Sequence, residues 1–343
     1  MRIAHVMLAK KFGGAERSFV DLARALAARG HAVLAIGDPR GVALARLANE
    51  SGIECVAVRC FGSWDRIAEH HMRREFARFR PAVVHAHLAR AAHLGGRAAQ
   101  ALGIPTLAKT HNLVNLKYYQ HIDCLVPTTR LQEVYLSQRG IAQHAMKRIP
   151  NFSLLEAVDA VPPPGGAPYR IVGLGRFVAK KGFDVLIAAC AHLVDAGCEV
   201  TLDLAGEGPD RGLLEQAIQR YGLATRVRLQ GWVDDVRGFL NGADLFVLPS
   251  HDEPFGIVLL EAMACGIPIV ATRTAGPNEV LGDDAALLVP TDDAEALAAA
   301  MRASLGDAAA QARAAVALER YRTMFSAEPV VTQYLDLYAR LAG

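Results

Sequence analysis

Two doubly wound α/β domains in one chain are what the sequence predicts, on three observations. Residues 1–36 read as strand, glycine loop, helix, strand: apolar Arg2–Leu8, the loop Ala9–Glu16, an Arg17–Arg29 helix with apolar residues at helical spacing, and apolar His31–Ile36. The same order starts again at Tyr169–Leu174, where Gly175-Arg176-Phe177 and Lys180-Lys181-Gly182 lead into a helix near Phe183. Between the two lies Pro162-Pro163-Pro164-Gly165-Gly166, the strongest boundary signal in the chain. Strand and helix alternating in this way build a parallel sheet with helices on both faces.

Composition agrees and narrows the class. The 343 residues are enough for two ordinary domains. A hydrophobic content of 52% with 21% charged residues excludes a disordered chain. No run approaches the roughly 18 apolar residues of a membrane span, and Met1–Val6 opens directly as a strand, so no signal peptide is expected. The six cysteines are scattered without a CxxC, as in a reduced cytoplasmic protein. His85-Ala86-His87 puts two rings on one strand face, but no third ligand is evident and no metal is expected. Net charge is +2, yet residues 1–150 hold 22 Lys and Arg against 10 Asp and Glu, and residues 151–343 hold 15 against 25. A basic first half suits an anionic acceptor, a phospholipid surface or nucleic acid, or is a set of solvated faces. No nucleic-acid reading motif accompanies it, so nucleic acid is not expected.

In order, Val42–Ser51 reads as helix and Glu54–Val58 as strand. Trp64–Phe79 reads as a helix with a cationic face (Arg66, His70, His71, Arg73, Arg74, Arg78) and an apolar side of Ile67, Phe76 and Phe79. Such a helix either rests on an anionic membrane or is a crossover helix with a solvated face. Ala82–His87 and Pro105–His111 are strands ending in histidine, with a helix over 89–102 between them. Functional groups of open α/β sheets gather at such strand ends. Leu125–Thr128 is a strand, and Thr129–Arg139 a helix capped by Thr129 or Thr128. After the boundary come strands at 199–205 and 227–229, helices at 213–221 and 234–240, and helices at 292–305, 308–324 and 330–341. The glycine loop after the first strand is not G-x-G-x-x-G, so a dinucleotide site is not indicated.

The stretch Leu245–Glu279 carries the chemistry. It reads strand (Leu245–Leu248), polar loop, helix (Ile257–Ala264), strand (Ile269–Thr272) and a glycine-bearing loop at Ala275-Gly276-Pro277. Glu253 lies before the helix and Glu261 within it. The helix start offers unpaired amides and a positive dipole end, suited to a diphosphate. A carboxylate repels phosphate but accepts hydrogen bonds from sugar hydroxyls. The stretch thus suits a nucleotide sugar: amides for phosphate, Glu261 for ribose, Glu253 for the hexose.

Glu253 and Glu261, set in Glu-Pro-Phe-Gly…Glu-Ala-Met-Ala-Cys-Gly-Ile-Pro-Ile-Val-Ala, resemble the E-x7-E signature of family-four retaining glycosyltransferases. The resemblance implies the GT-B fold, two Rossmann-like domains facing a central cleft. It divides the chain into an acceptor-binding domain (1–150), a linker (151–168) entered through Arg148-Ile149-Pro150-Asn151-Phe152, a nucleotide-sugar-binding domain (169–322) and a C-terminal helix (323–343) that packs back on the first domain. It implies catalytic roles for His111, Glu253, Arg176 and Lys181, with Lys180 the competitor for the last. Donor contacts fall to Gly13, Gly14, Trp232, Val233, Phe255, Gly256, Ile257 and Glu261 as well. Acceptor contacts fall to Glu16 and His87. Two fixed cations stabilise a leaving diphosphate without a metal, so no cofactor is expected and the nucleoside-diphosphate sugar is substrate. The carboxylate pair of glycoside hydrolases is not the reading of Glu253 and Glu261. The family's acceptors imply a cell-envelope glycan or lipid-linked partner such as lipopolysaccharide, and a cytoplasmic enzyme with peripheral membrane contact as one reading. UDP is favoured over GDP and ADP. The rivals are a GT-B nucleotide-sugar epimerase and a non-catalytic nucleotide-sugar or anionic-glycan binder.

Overall fold

A computed structural model describes residues 1–11 and 13–343. The chain forms two compact units: Met1–Leu154 with Ala327–Gly343, and Leu155–Ser326.

Unit 1 carries six parallel strands: β1 (Arg2–Met7), β2 (Ala32–Gly37), β3 (Ile53–Ala57), β4 (Val83–His87), β5 (Thr106–Thr110) and β6 (Cys124–Pro127). Their order is β3-β2-β1-β4-β5-β6. The central strands are buried on both faces because helices cover both. The helices are α1 (Gly14–Ala28), α2 (Val42–Ala45), α3 (Arg66–Phe79), α4 (Leu88–Gln100) and α5 (Arg130–Gln138). Asp65 caps α3 by accepting from the amides of Ile67 and Ala68, and Thr129 caps α5 by accepting from Gln132. Two expectations are corrected. The helix over 42–51 shrinks to the four residues of α2, followed by turns that lead to Gly52 at φ +80°. The inner stripe of α3 is Ala68, Met72, Phe76 and Phe79, while Ile67, one residue off it, is 84% exposed.

Unit 2 repeats the plan with β7 (Tyr169–Leu174), β8 (Val200–Ala205), β9 (Val227–Gly231), β10 (Leu245–Leu248), β11 (Ile269–Thr272) and β12 (Leu287–Val289), in the order β12-β11-β10-β7-β8-β9. Its helices are α6 (Phe183–Asp195), α7 (Arg211–Arg220), α8 (Val236–Leu240), α9 (Ile257–Ala264), α10 (Ala275–Val280), α11 (Ala294–Ser304) and α12 (Ala308–Arg320), with a π-turn at Tyr321–Phe325. The glycine loop expected at 275–277 is instead the start of α10. Pro277 sits in its first turn, where the missing N–H has no intrahelical partner to lose. Residues 155–168 belong to unit 2 and are not a free linker: Val158 N donates to Ala264 O at 2.8 Å, and the Tyr321 hydroxyl donates to Leu155 O.

The chain then returns to unit 1 as α13 (Ala327–Ala342). Val330, Val331, Tyr334, Leu337 and Tyr338 form its buried stripe, in one cluster with Phe19, Leu22 and Val83. Residues 321–326 stay with unit 2, so the returning segment starts at Ala327.

In each sheet the strand order reverses beside its first strand, between β1 and β4 and between β7 and β10. Loops diverge to opposite faces there and leave a crevice beyond the carboxyl ends, where ligands of such sheets bind. Among the described residues no helix is long and apolar enough to cross a membrane.

Candidate active site

At the β7/β10 reversal the loops after β7 and β10 and the start of α10 lock together main chain to main chain. Gly182 has φ +62°, and a Cβ on it would lie 2.2 Å from Pro249 O. A Cβ on Gly276 would lie 2.4 Å from Phe255 O, and Gly276 N donates to Glu253 O at 2.7 Å. No larger residue fits either place. The clamp brings Lys181, from the turn after β7, onto Glu253, from the loop after β10: Lys181 Nζ donates to Glu253 Oε2. Lys180 is exposed and offers its carbonyl to His251 N, so only one of the two lysines meets the carboxylate. Arg176, also beyond β7, is exposed and has no ion-pair partner among the described residues.

Gly256 (φ +86°) opens α9, whose first amides receive no side-chain cap. Phe255 and Ile257 are buried, and Phe255 packs on Phe325 with ring centroids 6.1 Å apart. Only their main chain can face a ligand. Glu261 is fully buried one turn into α9. Trp232 and Val233 follow β9, two strands away from β7. Trp232 is half exposed and its Nε1 donates to Asp234 Oδ1 at 3.1 Å. The structure thus gathers Lys181, Glu253, Gly256 and Ile257 at one reversal, with Arg176 on the same strand end and Trp232 and Val233 further along the sheet.

The remaining site residues are in unit 1. Gly13 caps α1 with an extended φ of −161°, and Gly14 and Glu16 lie in the first turn of α1 and not in the preceding loop. Phe12 of that loop lies outside the described residues. A Cβ on Gly13 would come no nearer than 3.4 Å, to Glu16 Oε2, so the chain's own packing does not demand glycine there. Glu16 is buried. His87 ends β4 fully buried, with its Nδ1 3.3 Å from Nε2 of His111, which follows β5 and keeps part of its surface open.

Behind them lies a cluster that the sequence reading missed. His5 on β1 is in register with His85 on β4, so the His85–His87 pair does have a third ring beside it. One nitrogen from each of the three lies within 4.8 Å of the others. The Tyr338 hydroxyl of α13 meets His85 Nδ1 at 2.7 Å and His5 Nε2 at 3.3 Å. Lys109, fully buried, donates to Ser18 Oγ at 2.9 Å. Burial lowers its pKa to about 7. Burial, with the Lys109 charge adding, lowers His5 to about 3. Burial first, with the Lys109 charge adding, holds His85, His87 and His111 well below the ordinary histidine value. These four imidazoles are neutral at neutral pH and can hold hydrogen bonds but not charge. A lone histidine inside the apolar β1, one strand over from His-Ala-His, was the available signal.

Known proteins match both halves. The family described as Glycosyltransferase Family 4 matches residues 12–152, and that described as Glycosyl transferases group 1 matches residues 168–307. The lipopolysaccharide core biosynthesis glycosyltransferase LpsD of Rhizobium meliloti is 33% identical, covering 99% of this chain and 98% of LpsD. LpsE of the same organism is 35% identical, covering 99% of each. The crystal structure of Anabaena HepE in complex with UDP-glucose has the same fold, with a TM-score of 0.81 at 20% identity over 99% of this chain and all of HepE. Matched from end to end by two such enzymes, the chain belongs to the family-four, group 1 glycosyltransferases of GT-B fold, and glycosyl transfer is its activity.

Proposed function

We propose that the protein is a retaining glycosyltransferase that needs no metal and moves a sugar from a UDP-sugar to a lipopolysaccharide-core acceptor. The observation that carries this reading is the Lys181–Glu253 pair at the β7/β10 reversal, with Arg176 on the same strand end. Breaking the donor's anomeric C–O bond sends its electron pair to a diphosphate oxygen. Arg176 and Lys181 stabilise that charge as it forms, the work a divalent ion does elsewhere. The uncapped amides of α9 take the phosphates, Glu261 the ribose hydroxyls and Glu253 the hexose. The acceptor hydroxyl attacks the anomeric carbon from the face the diphosphate leaves, and its proton passes to the departing phosphate oxygen. His111, held neutral, serves as a hydrogen-bond partner for the sugar. Trp232 and Val233 border the base.

UDP and the acceptor class lean on what HepE binds and on what LpsD and LpsE make. Work at the cytoplasmic face of a membrane is supported by one surface of unit 1. Phe61, Trp64 and Ile67 are 76%, 67% and 84% exposed beside Arg59 and Arg66, an apolar tip within cationic surroundings.

The test is a thermal-shift screen against UDP-, GDP- and ADP-sugars without added metal, with Glu261→Gln in parallel, followed by NMR of the product anomer. Selective stabilisation by a UDP-sugar, weakened in the variant, and a product that keeps the donor's anomeric configuration are expected. An inverted product, activity abolished by chelator, or a sugar epimerised with no transfer would overturn the reading.

A further inference from the structure

The reversal in unit 1 holds a cavity of about 570 Å³, walled by the end of β1 and its loop (Lys10, Lys11), the start of α4 (His87, Arg90), Ser63 and Tyr118. That volume suits one or two sugar rings. Its charge is one-sided: among the described residues three cationic side chains line it and no carboxylate does. Lys10 and Lys11 are exposed and have no ion-pair partner among the described residues. Arg90 reaches across from α4, with Nη1 3.4 Å from Leu8 O, while its buried Nε has no partner. The start of α4 receives no side-chain cap, so its first amides add to the positive wall. Leu88, the first residue of α4, has a left-handed φ of +67°, a strain that persists where surrounding structure over-determines it and that clusters at ligand sites. His87, also in the wall, has a buried Nε2 without a partner.

Cations left unpaired around a sugar-sized cavity, a donor without a partner and uncapped amides have one complement in common. We infer that this cavity binds an anionic group, a carboxylate or phosphate, on the acceptor glycan, and that Lys10, Lys11 and Arg90 select charged acceptors over neutral ones. The inference rests on the acceptor reading above and narrows it to acidic glycans.

The test is calorimetric binding of lipopolysaccharide core oligosaccharide freed of lipid, in native, dephosphorylated and carboxyl-reduced forms, at low salt. Wild type is compared with Lys10→Ala/Lys11→Ala, Arg90→Gln and Arg90→Lys. The double variant and Arg90→Gln should weaken binding of the native oligosaccharide at least tenfold, with Arg90→Lys recovering part of the loss. One neutralised form should bind wild type as weakly as the native form binds the variants. Loss on dephosphorylation identifies phosphate, and loss on carboxyl reduction identifies carboxylate. In turnover, the acceptor KM should rise with the donor KM unmoved. Equal affinity of wild type and the surface Lys10/Lys11 variant, equal affinity for charged and neutralised forms, or no binding of the native form by wild type would overturn the proposal. Donor binding is read separately by thermal shift. Charge-dependent oligosaccharide binding without donor binding would sink the proposed function and leave this inference standing, and transfer without charge selection would do the reverse.

Discussion

Lys181 and Glu253 are 72 residues apart in the chain and form an ion pair whose side chains are only 16% and 9% exposed. Removing one member strands the other in a largely dry place. Lys181→Ala should therefore lower kcat/KM by about 10²-fold or more, roughly 3 kcal/mol. Glu253→Gln should cost a similar factor, and the double variant should cost far less than the product of the two. Steady-state kinetics on the four proteins decides it: multiplicative losses would mean that the pair does not act as a unit.

Gly182 is the backbone clamp behind that pair. Gly182→Ala places a Cβ against Pro249 O at a positive φ, which should destabilise unit 2 by about 2 kcal/mol and lower Tm by about 4–8 °C. Gly166→Ala, where a Cβ would meet nothing within 4 Å, is the control and should leave Tm within about a degree. Scanning calorimetry checks both.

Lys109 gives unit 1 a pH-dependent stability. Its pKa is lowered by burial from 10.5 to about 7, partly opposed by Asp21, with His5, His111 and the Tyr334 ring also facing it. Above 10.5 the folded and unfolded chains both hold it neutral. As pH falls toward 7 the unfolded chain takes up a proton that the folded chain refuses, so stability is lost across that window and stays level below it. Lys109→Met should accordingly stabilise the protein most at pH 7 and below, by an amount on the order of 3–5 kcal/mol, and least near pH 10. Urea midpoints that shift equally at pH 7 and pH 10 would show that the ammonium is not the cause.

Tyr338→Phe removes the hydroxyl that meets both His5 and His85. Two buried imidazole nitrogens then lack a partner, at a cost of about 2 kcal/mol. Hydrogen exchange should quicken along α13 and at β1 and β4 while β7 to β12 keep their protection. Uniform quickening in both sheets would contradict the local role given to this hydroxyl.

Short, mostly apolar segments bounded by turn residues were legible to the residue: Tyr169–Leu174, Leu245–Leu248, Ile257–Ala264 and Ile269–Thr272 are elements with the expected bounds. Misreadings fell where local chemistry pointed one way and packing the other. Gly276 and Pro277 look like breakers, yet glycine is needed against Phe255 O and proline is harmless in a first turn. Three-residue β12 is too short for any periodicity to register. Ile67 carries the right residue type on the wrong side of α3. In the site, Glu253 and Lys181 were readable as motif residues, but their contact was not, because it depends on strand order. Strand order likewise brings His5 beside His85, and Arg90 to the loop of Lys10. Neither adjacency leaves a trace in sequence spacing.

Because α13 supplies Tyr334 and Tyr338 to the core of unit 1, unit 1 is built from the first and last parts of the chain. A ribosome releases β1 to β6 long before it makes the helix that covers their apolar and histidine-bearing face. Unit 2 is continuous, and all its parts emerge together. During synthesis, therefore, the later unit can finish first, while the earlier one waits half-covered and sticky for its closing piece. Chaperone capture of stalled nascent chains should centre on the face of Phe19, Leu22 and Val83.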